Sequence, residues 1–215
     1  MEIRVHTFTF NAFQENTYVL EDTNGNCVII DPGCYERSEQ QELSNFIAEN
    51  GLTVLALLST HSHVDHVLGN SYIRRKYGVD HYAHELDLQT LRSVESYAYM
   101  YGFQGYEPSP EPNCILKGGE ELVFGDIRLK VFFTPGHAPG HVVYYNEENQ
   151  FVINGDVLFS GSFGRVDLPG GSMEVLKKTI HEIMFQLPEE TVVHCGHGPA
   201  TTIGREKRFN YILNF

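Results

Sequence analysis

Basic residues are scarce in this sequence: 15 Lys and Arg stand against 28 Asp and Glu, a formal net charge of −13 with histidine neutral. Nucleic-acid affinity comes largely from Lys and Arg neutralising phosphates, so nuclease and DNA-binding readings lose ground. Cysteine is also sparse. Cys27, Cys34, Cys114 and Cys195 show no Cys-x-x-Cys spacing, which fits buried thiols in a reducing compartment better than a disulfide framework. No stretch approaches the run of about 20 apolar residues that spans a bilayer. The segment Met1 to Thr7 has no basic region followed by an apolar block, so no signal peptide is expected. The expected setting is the cytoplasm, with no membrane or nucleic-acid partner.

What is present is ordinary for a globular chain: 215 residues, 41% apolar, with 20 glycines to supply turns. That length favours a single domain over 1–215 with a sizeable core. Ile3 to Phe10, Thr17 to Leu20 and Cys27 to Ile30 read as antiparallel strands, with Asn24-Gly25 as a hairpin turn. Leu43, Phe46 and Ile47 fall at helical spacing within 38–50, and Gly51 marks the stop. A strand over 52–59 follows, then a short helix around Tyr72, Ile73 and Tyr77. Val79 to Ala83 reads as a strand and 85–99 as a helix with Leu88 and Leu91 inward; 106–113, with three prolines, reads as a loop. The order is that of an α/β fold.

The densest chemistry is Thr60-His61-Ser62-His63-Val64-Asp65-His66, directly after the apolar run Leu55 to Ser59. In an extended segment side chains at i and i+2 point the same way, so His61 and His63 can converge on one point. Imidazole nitrogen and carboxylate oxygen are ligands that Zn²⁺ and its neighbours accept at about 2.0–2.2 Å. One histidine in a loop would signify little. Three with an aspartate, between a strand and a helix, point to metal.

Further candidates follow later strands. Ile127 to Phe133 alternates and ends in Pro135-Gly136-His137, with His141 four residues on; 151–154 ends in Gly155-Asp156; 191–194 ends in Cys195-Gly196-His197-Gly198. Loops at one edge of a sheet scaffold are where sites are usually built. Asp31, at a strand end before Pro32-Gly33, could be a metal ligand, though an aspartate before Pro-Gly is more often a turn former; a carboxylate that orients a ligating histidine is the intermediate reading. His81, His84 and His194 are left outside the ligand set, and Cys195, which could be a ligand or a redox thiol, is read as packing beside it.

The ordered set His61-x-His63-x-Asp65-His66, Pro-Gly-His137, Gly-Asp156 and Gly-His197-Gly resembles the metallo-β-lactamase superfamily over nearly the whole chain. The segments 155–159 and 164–171 are similar to the glyoxalase II group, its short bacterial hydroxyacylglutathione hydrolases in particular. The resemblance implies an αβ/βα sandwich, two mixed β-sheets face to face with helices outside. It also implies two divalent metal ions, zinc first with iron or manganese as alternatives. His61, His63 and His137 would bind one, Asp65, His66 and His197 the other, and Asp156 would bridge them, while the position of His141 would not supply a ligand.

The implied reaction is hydrolysis of a thioester such as S-D-lactoylglutathione by a hydroxide bridging the metals, with Asp65 and Asp156 holding it and taking its proton. Paired ions about 3.5–4 Å apart can clamp attacking and departing atoms in this way. Arg165 falls where the group presents a basic residue to the glutathione moiety, and an Arg there is equally a surface ion-pair former. Longer members carry a C-terminal helical domain with further glutathione contacts, whereas this chain ends at Phe215, which leaves the substrate open. The same superfamily also offers a mononuclear iron persulfide dioxygenase, for which His61, His137 and Asp156 would supply a triad, and a lactonase or other esterase.

Overall fold

A computed structural model describes residues 2–215. The first sheet is built from β1 (Arg4–Phe10), β2 (Glu15–Glu21), β3 (Asn26–Ile30), β4 (Thr53–Leu58), β5 (Asp80–His84) and β6 (Cys114–Leu116), side by side in that order. Between them come α1 (Arg37–Glu49), α2 (Val64–Val67), α3 (Asn70–Tyr77) and α4 (Leu88–Tyr97). The second sheet takes β7 (Glu121–Phe124), β8 (Ile127–Phe133), β9 (Val142–Asn146) and β10 (Phe151–Gly155). A small hairpin of β11 (Leu158–Phe159) and β12 (Ser162–Phe163) precedes α5 (Met173–Glu182), β13 (Val192–Cys195), β14 (Thr201–Thr202) and α6 (Ile203–Phe209). The order of the second sheet is β14-β13-β10-β9-β8-β7.

Both sheets are mixed. The first begins as an antiparallel meander and turns parallel from β3 through β6; the second is antiparallel except where β10 runs parallel to β13. Alternation along each strand divides its residues between two cores. Leu20, Val28, Ile30, Ala56 and Leu58 meet Ile127, Leu129, Val131, Tyr144 and Ile153 between the sheets. Val19, Cys27, Ile29 and Leu57 point the other way, under Leu43 and Ile47 of α1 and Ile73 of α3. On the far face Val143, Val152 and Val193 pack beneath Leu176 and Ile180 of α5 and Ile203 of α6. This is the expected αβ/βα sandwich.

The expected helix over 85–99 is divided. A 3₁₀ turn over Glu85–Asp87 leads into α4, and another over Ala98–Tyr101 closes it at Gly102, whose φ of 93° a residue with a side chain resists. Leu91 is buried as expected, while Leu88 is half-buried. The loop over 106–113 braces the first sheet: Asn113 accepts from Arg74 and from the His81 amide, and Ser109 hydrogen-bonds Val67 O. Among the described residues no helix is long and apolar enough to cross a membrane.

Candidate metal centre

The loops that carry the candidate ligands all leave C-terminal strand ends on one edge of the sandwich, after β4, β8, β10 and β13. Hydrogen bonds between the sheets fix that edge. The Val142 amide donates to Thr60 O at 2.8 Å, and the Tyr144 hydroxyl to Ser59 O at 2.7 Å. From the first sheet the Asn16 amide donates to Gly196 O at 2.7 Å, and the Tyr18 hydroxyl to Cys195 O at 2.6 Å. Residues more than a hundred positions apart are thereby held in one frame.

All seven candidates converge in it. His61, His63 and His137 form one group whose ligand atoms lie within 4.8 Å of one another, and Asp65, His66 and His197 form a second. Asp156 stands between the groups. Its Oδ2 is 3.5 Å from His137 Nε2 and 3.6 Å from His197 Nε2, while its Oδ1 is 3.6 Å from His66 Nε2. Asp65 Oδ2 lies 3.1 Å from His197 Nε2 and 3.7 Å from His66 Nε2. Two donors each about 2.0–2.2 Å from a tetrahedral ion stand roughly 3.3–3.6 Å apart. The spacings bracket that range.

The centre fits divalent cations on a second ground. His61 Nε2, His66 Nε2 and Asp156 Oδ1 are buried and have no hydrogen-bond partner. An unpaired buried polar atom costs about 1–3 kcal/mol. Each of the three is relieved when a cation at its own site takes the lone pair. His63 Nδ1 and His137 Nε2 are 2.8 Å apart, with one proton between two lone pairs where an ion would take both.

The outer nitrogens are tied back. His137 Nδ1 donates to Arg165 O at 2.7 Å, and His197 Nδ1 to Phe13 O at 3.1 Å. His61 Nδ1 meets the Thr60 hydroxyl at 3.0 Å; that hydroxyl donates to Asp31 Oδ2 at 2.5 Å, and His66 Nδ1 reaches the same oxygen at 3.2 Å. One carboxylate therefore fixes the tautomers of two histidines. Asp31 holds this place with φ at 48°, in the left-handed region that aspartate enters more readily than most residues.

Charge follows the same geometry. Burial, joined by the neighbouring imidazoles, drives His61 well below its usual value and His63 down to about 3, so both are neutral near pH 7. Burial opposes charge on His66 too, yet Asp156, Asp65 and Asp31 outweigh it and hold that imidazole well above the ordinary histidine range. His197 is raised as well: its hydrogen bond to Asp65 and the charge of Asp156 overcome burial. Burial likewise works against ionised Asp156 and Asp65, but the His66 charge, foremost among the histidines, lowers both. Without metal, protons occupy part of the centre.

The histidines set aside in the sequence have other partners. His141 stacks on His61 with centroids 4.8 Å apart. Its Nε2 accepts from the Asp156 amide at 3.1 Å and its Nδ1 meets Thr134 Oγ1 at 3.1 Å, so neither nitrogen is left for an ion. His194 lies between the rings of Tyr18 and Phe151, His84 stacks on Phe133, and His81 bonds Ser59. Burial pushes the Cys195 thiol up to about 12, in keeping with packing. Arg165 borders the centre's cavity, but its guanidinium is bound through two nitrogens to Asp167 at 2.7 and 2.8 Å. Sequence reasoning missed Glu15, a fully buried carboxylate 3.8 Å from His66 Nδ1. A lone Glu opening a strand carries no signal of that placement.

Comparison with known proteins assigns the family. The model of the metallo-beta-lactamase superfamily matches residues 10–197. The chain belongs to the metallo-β-lactamase superfamily. Within this superfamily it is 40% identical over 205 residues to the probable metallo-hydrolase YqgX of Bacillus subtilis, covering 94% of this chain and 93% of that protein. It is 32% identical over 213 residues to the hydroxyacylglutathione hydrolase GloC of Haemophilus influenzae, covering 99% of each. The crystal structure of TTHA1623 in a di-iron-bound form superposes with a TM-score of 0.86 at 38% identity, covering 96% of this chain and 99% of that one. The protein is a metallo-hydrolase of this superfamily with His/Asp clusters able to hold divalent metal.

Proposed function

We propose that the protein is a dinuclear thioester hydrolase, acting on a glutathione-derived substrate such as S-D-lactoylglutathione. The observation that carries this reading is the Asp156 carboxylate, one oxygen of which lies 3.5 and 3.6 Å from histidines of the two different groups. His61, His63 and His137 would hold one cation, Asp65, His66 and His197 the other, and Asp156 would span both. The nitrogen and oxygen donors suit zinc, iron or manganese, and the di-iron structure at 38% identity supports a pair of ions. The activity of the Haemophilus influenzae relative supports the substrate class.

Bound cations would supply Lewis-acid charge and lower the pKa of water from 15.7 toward about 7. The rest falls to the chain. Asp65 and Asp156 line the cavity floor and present carboxylate oxygens to the attacking water. As the water oxygen bonds to the thioester carbon, a carboxylate takes its proton; as the carbon–sulfur bond breaks, that proton passes to the departing thiolate. Asp31 and the carbonyls of Arg165 and Phe13 keep the imidazoles from turning. Arg165, freed from Asp167, would meet a substrate carboxylate at the rim.

The experiment offers the metal-loaded protein S-D-lactoylglutathione, a cephalosporin and glutathione persulfide in parallel, following thioester absorbance, β-lactam opening and oxygen uptake. Thioester loss is expected. Oxygen consumption with a single iron, or β-lactam opening alone, would replace this reading by a dioxygenase or a lactamase.

A further inference from the structure

A cavity of about 1030 Å³ opens above the metal centre, with His63, Asp65, His137, Asp156 and His197 at its floor. Its walls have a different character. Tyr101 meets Phe13 edge to face at 5.7 Å and Tyr97 at 5.9 Å, while Phe159 and Phe163 enter from the β11–β12 hairpin. Met100 is 71% exposed and Leu86 53% exposed, so both border the cavity with their apolar surface in water. Apolar surface gathered around a few convergent polar groups is the ordinary form of a small-molecule site, and a flexible methionine adapts to varied ligand shapes.

Charge on the walls is as informative as apolarity. Of the sequence's 15 Lys and Arg, Arg165 alone is among the described residues lining the cavity. Its guanidinium is already engaged by Asp167, and the Asp167 carboxyl is lowered to about 2 by that contact. A glutathione moiety brings two carboxylates, for which the walls offer one cation, and that one only when it leaves Asp167. A lactoyl group brings three carbons, which leave most of the aromatic wall wet. Beside Gln89, Thr90, Ser93 and Ser162 the walls are mostly apolar.

Resting on the thioesterase reading above, we infer that the preferred substrate is a thioester whose acyl group is bulky and apolar, an aryl or medium-length alkyl chain, received against Phe13, Tyr97 and Tyr101. Burial of each added methylene favours binding about fourfold, so a few of them dominate the choice among acyl groups.

The test compares kcat/KM of the metal-loaded protein for S-D-lactoyl-, S-hexanoyl- and S-phenylacetylglutathione, before and after Tyr101→Ser. The two apolar substrates are expected to lead by about tenfold or more, and the substitution to cut that lead at least threefold, by roughly the loss of one aromatic contact. Calorimetry with uncleavable thioethers gives a second readout. S-hexylglutathione is expected to bind about tenfold more tightly than S-methylglutathione, with a negative heat-capacity change. Equal binding of the two thioethers, or a preference for lactoyl, overturns the inference. Cleavage of none of the three thioesters, with S-hexylglutathione still held tightly, sinks the thioesterase reading and leaves the apolar-ligand assignment standing.

Discussion

His66 Nδ1 lies 3.2 Å from Asp31 Oδ2, the same oxygen that accepts the Thr60 hydroxyl whose oxygen meets His61 Nδ1. Histidines of the two candidate ion sites are thus aimed by one carboxylate. Asp31→Asn keeps the left-handed backbone, which asparagine tolerates equally, but removes the charge. Metal affinity is expected to fall about 10–100-fold, measured by competition with a calibrated chelator. Unchanged affinity would show that Asp31 serves only the turn.

His137→Ala removes a donor from the first group and one of the two contacts that place Asp156 Oδ2. The side chain is buried but sits in the polar centre, outside the apolar clusters. Loss of one metal equivalent and of turnover is expected, with the circular dichroism spectrum retained. Full activity would refute its ligand role.

Gly196 illustrates a requirement of space. A Cβ there would overlap Asp156 Oδ1 and come within 2.8 Å of His66 Cε1. The Gly196 amide meanwhile donates to Gly155 O at 2.7 Å, which prevents the loop from backing away. Gly196→Ala is expected to lower metal content per chain more than it lowers the thermal midpoint of the metal-free protein. The reverse ranking would mean that the glycine matters for folding alone.

His141→Phe tests the support of Asp156. Phenylalanine can keep the stack on His61 but leaves the buried Asp156 amide without its acceptor, at a cost of about 1–3 kcal/mol. A matching loss of stability in urea unfolding is expected, together with weaker metal binding. A variant as stable and as metal-loaded as the parent would contradict it.

Acid should release the metal. His66 and His197 are raised in the metal-free protein, so they still carry protons at pH values where an ordinary histidine has shed them. A cation must displace those protons, and ligands bind only when deprotonated. Apparent affinity therefore rises with pH and falls on acidification, by up to about tenfold per pH unit for each proton displaced. Chelator competition between pH 5.5 and 8 reads the slope; a flat profile would place these histidines outside the ligand set.

The sandwich was legible where strands alternate or end in distinctive turns. β8 shows its alternation because Arg128 and Lys130 face outward. β9, by contrast, is VVYYN with both faces buried; it has no alternation to detect, as expected of strands covered on both sides. α5 is signalled only by its Ser172 cap and by Leu176 and Ile180 at helical spacing on one buried face. At the metal centre the ligand types could be read locally, since each histidine or aspartate follows a strand. The aromatic chamber could not. Phe13, Tyr101 and Phe159 lie far apart in sequence and reach one cavity from the β1–β2 loop, the turn after α4 and the β11–β12 hairpin, which no local pattern encodes.

Metal content tests the account most directly. Protein saturated with zinc, freed of unbound ion by gel filtration and analysed by atomic emission should hold two ions per chain. One ion per chain, or none, would contradict an Asp156 carboxylate shared between two sites.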